Sequence, residues 1–202
     1  MIIHEMEQGS DAWLQVRLGK VTASNFATAI AKPGSSTRDT YMRKLMAERL
    51  TGLPQATYSN ANMDRGTELE PDAREHYSLI TDTIVGQVGF VELNENTGVS
   101  PDGLIGEDGG LEIKCPLAST HIQYILNDKL PSSYQWQVHG VMWACNLKWI
   151  DFVSYCPEMT NRPIWIHRVE RDEEKIAVLQ VKIGSFIKEM NTKLTKIEET
   201  NF

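Results

Sequence analysis

The spacing of apolar positions changes near residue 84, and before that point the repeat is helical. Gly9-Ser10-Asp11 followed by Ala12-Trp13-Leu14-Gln15-Val16-Arg17 reads as a capped short helix ending at Gly19. Val21-Thr22-Ala23-Ser24 opens a second helix to about Ile30, and Lys32-Pro33-Gly34-Ser35-Ser36 is a loop. Thr37 or Asp39 caps a third helix, striped by Tyr41, Leu45, Met46 and Leu50 and stopped by Thr51-Gly52-Leu53-Pro54. A fourth covers 63–79, with Pro71 in its middle as a kink or the first turn of a new segment.

Beyond that the pattern favours strands. Residues 84–93, 98–105 and 111–115 read as strands, the last two joined by the Gly106-Glu107-Asp108-Gly109-Gly110 turn. Helices follow at 118–127 and 133–146, then strands at 149–156 and 164–169, then a final helix over 172–197. This order predicts an α/β (α+β) fold, a curved mixed sheet flanked by helices on one core. A single domain is expected over 1–202, with N-terminal helices 1–80 packed on a core of 81–202.

Composition narrows the function classes. The 202 residues are 41% hydrophobic and 23% charged, the mix of a globular protein. Three cysteines without a C-x-x-C pair argue against a disulfide scaffold, a cysteine-rich zinc site or a four-cysteine iron–sulfur cluster. No histidine pair has H-x-H or H-x-x-x-H spacing, so a His-based zinc site has little support. No signal peptide or membrane span is read, and a cytoplasmic location is expected.

The net charge of −7 is unevenly placed. Residues 51–112 hold 12 acidic and 2 basic groups, while the flanking segments are slightly basic. A solvated acidic helix face is one explanation. Convergence of some carboxylates on a divalent cation is the other. A protein that coats DNA non-specifically would need a basic excess, so that role is disfavoured.

One hairpin can carry such a cation. Along Leu111-Glu112-Ile113-Lys114-Cys115 the apolar side chains point to one face, and Glu112 and Lys114 to the other. If Ile105 pairs with Leu111, Asp102 lies opposite Lys114 and diagonal to Glu112, with diagonal neighbours roughly 7–8 Å apart. A shift of two residues keeps all three on one face, and a shift of one separates them. Mg²⁺ prefers hard oxygens and takes one or two protein carboxylates, and the Ile113 carbonyl could add a ligand. A lysine beside it can hold the attacking water. The plainer alternatives are a surface ion pair for Glu112 and Lys114, and a turn for Asp102-Gly103.

Asp102-Gly103 with Glu112-Ile113-Lys114 resembles the core of the PD-(D/E)XK nuclease superfamily. More narrowly, the chain resembles the lambda-exonuclease and YqaJ-type viral recombination nuclease family in five ordered blocks. These are Arg17 to Ser24, Gly66 to Arg74, Ser100 to Leu104, Leu111 to Pro116, and Gln137-Val138 ahead of Met142-Trp143. The resemblance implies a restriction-endonuclease-like core and an exonuclease that digests one strand of linear double-stranded DNA from its 5′ end, leaving 3′ overhangs for recombination. It implies Mg²⁺, two ions per active site with Mn²⁺ able to substitute, held by Asp102, Glu112 and the Ile113 carbonyl. Lys114 falls on the catalytic lysine, with Glu70 and Gln137 positioning water and metal.

The same resemblance places a 5′-phosphate pocket on Arg17 and Ser24, and a strand-separating wedge on Met63. A forked guanidinium suits phosphate, and Ser24 near a helix start would share the positive end of the macrodipole. Glu70 is expected to point inward from a bend at Pro71. Relatives place a basic residue after the pair that here is Lys32-Pro33; this chain has Gly34, and Arg38 is the candidate substitute. His139 and Gly140 replace larger residues near Gln137. Trp136 and Trp143 read as core. A homotrimeric ring, a single-strand annealing partner and the bacterial host cytoplasm complete what the family implies. The competing readings are an endonuclease of the same superfamily and a catalytically inactive DNA-end-binding protein.

Overall fold

The computed structural model describes residues 1–55 and 61–200. It builds eight strands and seven α-helices into two mixed four-stranded sheets flanked by helices. The expected mixed α/β class holds, with the strands divided between two sheets where one central sheet was anticipated. Among the described residues no helix is long and apolar enough to cross a membrane.

The first sheet runs β1 (Ile2–His4), β3 (Phe90–Asn94), β4 (Thr97–Val99), β2 (Val21–Thr22), antiparallel except for the parallel β2–β4 edge. The first eighty residues therefore do more than pack helices on a core, since they supply two strands of this sheet. The expected helix over Val21–Ile30 is replaced by β2, a 3₁₀ turn at Ala23–Asn25 and α2 (Phe26–Ala29). Val21 and Thr22 lie fully or nearly fully buried beside Thr97 and Gly98, which fits a β-branched pair better than a helix start. α1 (Asp11–Arg17) does form, and the Ser10 hydroxyl accepts from the Trp13 N–H at 3.3 Å. α3 (Ser36–Thr51) begins earlier than expected, with Ser35 at its N-cap in place of Thr37 or Asp39, and ends at Gly52 in the left-handed conformation.

The second sheet runs β5 (Gly103–Ile105), β6 (Gly109–Lys114), β7 (Trp149–Tyr155), β8 (Ile164–Glu170). β5–β6 and β7–β8 are antiparallel, while β6–β7 is parallel. That parallel step needs a crossover, made by α5 (Ala118–Asn127), a 3₁₀ turn at Ser132–Tyr134 and α6 (Gln135–Cys145). The expected strand over 98–105 is cut into β4 and β5, which belong to different sheets. Of the expected strand 84–93 only the end from Phe90 is laddered, and Gly86 makes one isolated bridge to Leu104.

Helix α4 (Ala61–Thr81) carries Pro71 inside it and continues past it as one element. α4 lies on the Leu111, Ile113 and Val153 face of the second sheet through Ala73 and Tyr77. Three polar ties hold it there. The Arg65 guanidinium reaches the Cys115 carbonyl at 3.4 Å and Glu158, Arg74 reaches the Asp102 carbonyl at 2.9 Å, and the Tyr77 hydroxyl donates to Asp151 at 2.8 Å. On the sheet's other face Ile150 and Phe152 pack with Val138, Met142 and Leu179. α7 (Glu173–Glu198) closes that core with Ile176, Leu179, Ile183, Phe186 and Met190 at helical spacing, capped by Asp172. Trp136 and Trp143 pack against the same cluster, as the sequence indicated.

Candidate active site

Strand β6 sets the site by alternation. Leu111, Ile113 and Cys115 enter the apolar layer under α4, so Glu112 and Lys114 face the other way. The hairpin register pairs Gly103 with Leu111 and Ile105 with Gly109. The expected Ile105–Leu111 pairing is thus shifted by two residues, because the chain reverses through Gly106, Glu107 and Asp108 alone, with Gly106 at φ 55°. Continued one step, that register puts Asp102 opposite Glu112 and diagonal to Lys114, on the same face. Gly103 is a strand residue with a packing reason, since a Cβ there would fall 2.3 Å from Val85 Cγ1.

Glu112 is completely buried. Its Oε1 accepts from the Gln137 side-chain amide at 2.6 Å and from the Lys114 ammonium, while its buried Oε2 has no partner among the described residues. Burial pushes its pKa up to about 7 against the pull of Lys114, and the Asp102 and Glu70 charges add to the rise. Asp102 Oδ2 accepts from the Ile113 N–H at 2.6 Å. Burial raises the Asp102 pKa too, opposed by Lys114, the Ile113 N–H and Arg74. Burial works against the Lys114 ammonium, but Glu112 and Asp102 together outweigh it and hold its pKa above the usual lysine range. As it stands Lys114 is a proton donor, lying 5.3 Å over the Tyr134 ring.

Glu70 arrives from α4 and pairs with Arg74 one turn on. Burial raises its pKa, with Asp102 adding and Arg74 opposing. Glu70 and Asp102 line two cavities that meet at them. One, of about 550 Å³, includes Met63, Ile113, Lys114 and Tyr134. The other, of about 1050 Å³, includes Trp13, Arg74 and Pro101. The acidic segment is therefore divided between a solvated face and the interior. Glu68, Asp72 and Glu75 stay on the solvated face of α4, and Glu70, Asp102 and Glu112 gather inside.

The remaining expected residues are placed differently. Met63 stands half exposed on the cleft rim. Arg17 donates to the Ser100 hydroxyl at 2.9 Å and stacks 3.9 Å from the Trp13 ring centre, and burial lowers its pKa to about 10. Ser24 is exposed and bonds its neighbour Asn25, and among the described residues it does not bond Arg17. The macrodipole expected at Ser24 is lost, because a three-residue 3₁₀ turn aligns few peptide dipoles. Arg38 is no substitute for a basic loop residue: it is buried, donating to the Ala29 carbonyl and pairing with Glu189. Gly140 answers to packing, since a Cβ there would meet the Phe26 ring at 2.3 Å. Sequence reasoning gave no role to Arg74, Ser100 and Tyr134. Arg74 carried a signal, lying four residues from Glu70 on a helix.

Among the described residues no set of three or more His, Cys, Asp or Glu side chains forms a ready-made metal cage. Two carboxylates and a main-chain carbonyl are nevertheless the sparse oxygen set that suits a partly hydrated hard cation. The hairpin with its acid, acid and lysine on one face, bounded by α4 and α6, defines the PD-(D/E)XK nuclease class. Within it the chain belongs to the YqaJ-like viral recombinase domain family, whose model matches residues 12–148.

Solved structures agree. The alkaline exonuclease LHK-Exo from Laribacter hongkongensis superposes with a TM-score of 0.87 at 37% identity, covering 94% of this chain and 96% of that one. Its complex with dAMP gives 0.88 at 38% over the same shares. A phage related exonuclease from Haemophilus somnus 129PT gives 0.67 at 16% identity, over 88% of this chain and 96% of that one, and shares the fold. A search of curated proteins finds no match. The chain thus shares its family with viral recombinases and its fold with solved exonucleases.

Proposed function

We propose that this chain is a Mg²⁺-dependent exonuclease that digests one strand of linear double-stranded DNA from the 5′ end. It leaves 3′ single-stranded overhangs for a single-strand annealing protein in a bacterial host cytoplasm. The observation that carries the reading is Glu112, wholly buried, with one oxygen tied and the other without a partner among the described residues. A buried carboxylate oxygen without a donor is costly, and a cation would satisfy it.

Asp102, Glu112 and the Ile113 carbonyl would hold Mg²⁺, two ions per site, with Mn²⁺ as a substitute. Divalent cations there would supply the charge that polarises the phosphodiester and stabilises the attacking and leaving oxygens. Lys114, as an ammonium, orients the attacking water and balances phosphate charge. Gln137 fixes the plane of Glu112, and Glu70 adds a second acid across the cleft. Arg17 would exchange its Ser100 partner for the 5′ phosphate, with Ser24 as an exposed hydroxyl donor, and Met63 on the rim would part the terminal base pair. A ring of three chains would keep the DNA threaded.

The test is digestion of a linear duplex carrying 5′-phosphate or 5′-hydroxyl ends beside a covalently closed circle, with and without Mg²⁺. Shortening of the linear forms, faster from 5′-phosphate, with intact circles, is expected. Cutting of the circle would make it an endonuclease. No hydrolysis of any form would make it a DNA-end-binding protein.

A further inference from the structure

We propose that Arg74 is a positioning residue that locks Glu70 and the Asp102 main chain into one frame; this rests on the nuclease reading above. Arg74 stands one turn beyond Glu70 on α4, and its side chain is only 13% exposed. Nη2 engages Glu70 Oε1, while Nε donates to the Asp102 carbonyl at 2.9 Å. Asp102 is held at its other end by the Ile113 N–H on Oδ2. One guanidinium therefore ties an acid borne on a helix to an acid borne on the approach to β5, two elements that share no ladder.

The tie matters because the two acids oppose each other. Burial and the Asp102 charge both favour a neutral Glu70, and Arg74 is the first group that counters them, ahead of Lys114. Lys114 is already engaged by Glu112. Removing Arg74 would leave Glu70 free to swing from Asp102, since the same guanidinium holds both. A lysine could keep the charge, but its single nitrogen does not reproduce a planar fork whose Nε and Nη2 meet two acceptors. The effect of Arg74 passes through the placement of Glu70 and Asp102, the two groups its guanidinium holds.

The experiment compares wild type, Arg74→Lys and Arg74→Gln by steady-state kinetics on a 5′-phosphorylated linear duplex, Mg²⁺ calorimetry without DNA, and thermal melting. Both variants are expected to lose about 10–100-fold in kcat and in Mg²⁺ affinity, the range for residues that orient metal ligands, with KM for DNA ends nearly unchanged. Weakening in Arg74→Gln would run against simple charge, since removing a cation should tighten Mg²⁺ binding. Wild-type turnover and Mg²⁺ affinity in Arg74→Lys, or tighter binding in Arg74→Gln, would overturn the proposal. If Arg74→Gln does not fold, Arg74→Lys decides alone. If wild type hydrolyses no DNA, the nuclease reading fails, and the Mg²⁺ titration of Arg74→Lys against wild type still judges Arg74.

Discussion

Gln137 donates its side-chain amide to Glu112 Oε1 at 2.6 Å, joining α6 to β6 across 25 residues of chain. Replacing that donor leaves a buried carboxylate with Lys114 as its one remaining partner among the described residues. Gln137→Ala is expected to lower turnover about 10–100-fold while the fold survives. Circular dichroism beside a rate on linear duplex checks it, and an unchanged rate would remove Gln137 from the site.

Lys114→Ala removes the donor proposed to orient water, and frees Glu112 from its ion pair. Turnover should fall about 10²–10⁴-fold, the usual contribution of a positioned proton-transfer group. Mg²⁺ and DNA ends should still bind. Single-turnover kinetics with calorimetry separates the two, and a normal rate would show the lysine assignment to be wrong.

The Glu112 pKa of about 7 predicts a pH dependence. A cation must displace a proton below that value, so apparent Mg²⁺ affinity should fall about tenfold per pH unit below 7 and level off above it. The same raised pKa carries a stability sign. The folded state binds the extra proton, so this group favours folding less as pH rises from about 4.5 to 7 and contributes a constant penalty above. Mg²⁺ should therefore raise the melting temperature more at pH 8 than at pH 5.5. An equal rise at both would contradict the assignment.

Tyr77 ties α4 to β7 through Asp151, which also pairs with Arg168. Tyr77→Phe keeps the ring and the Arg168 pair but deletes one hydrogen bond. A loss of about 1 kcal/mol in a denaturant titration is expected, with a smaller effect on turnover than Arg74→Gln. A larger effect on turnover than on stability would mean that α4 is placed chiefly by this bond.

How much of this was legible depends on how local the determinant is. α5 and α7 appear within a residue or two of their expected bounds, because an apolar stripe and the Asp172 cap are local signals. The site triad on β6 and its neighbour was legible through alternation, which survives a two-residue register shift. The strand at Val21–Thr22 was not, because its partners lie some 76 residues on. The division of 98–105 between two sheets was equally hidden, since sheet membership is decided by neighbours and not by a strand's own pattern. Arg38 was the candidate substitute for a basic loop residue, and nothing local to it showed that α7 would bring Glu189 to it.

The parallel pairing of β6 with β7 delays completion of this centre during synthesis. Glu112 and Lys114 leave the ribosome before Gln137, and the strand that flanks β6 emerges only at Trp149–Tyr155. A nascent chain halted before α6 carries all three acids and the lysine yet lacks the amide that orients Glu112 and one edge of its supporting strand. The centre is therefore assembled late in translation, only once the chain has been made as far as β7.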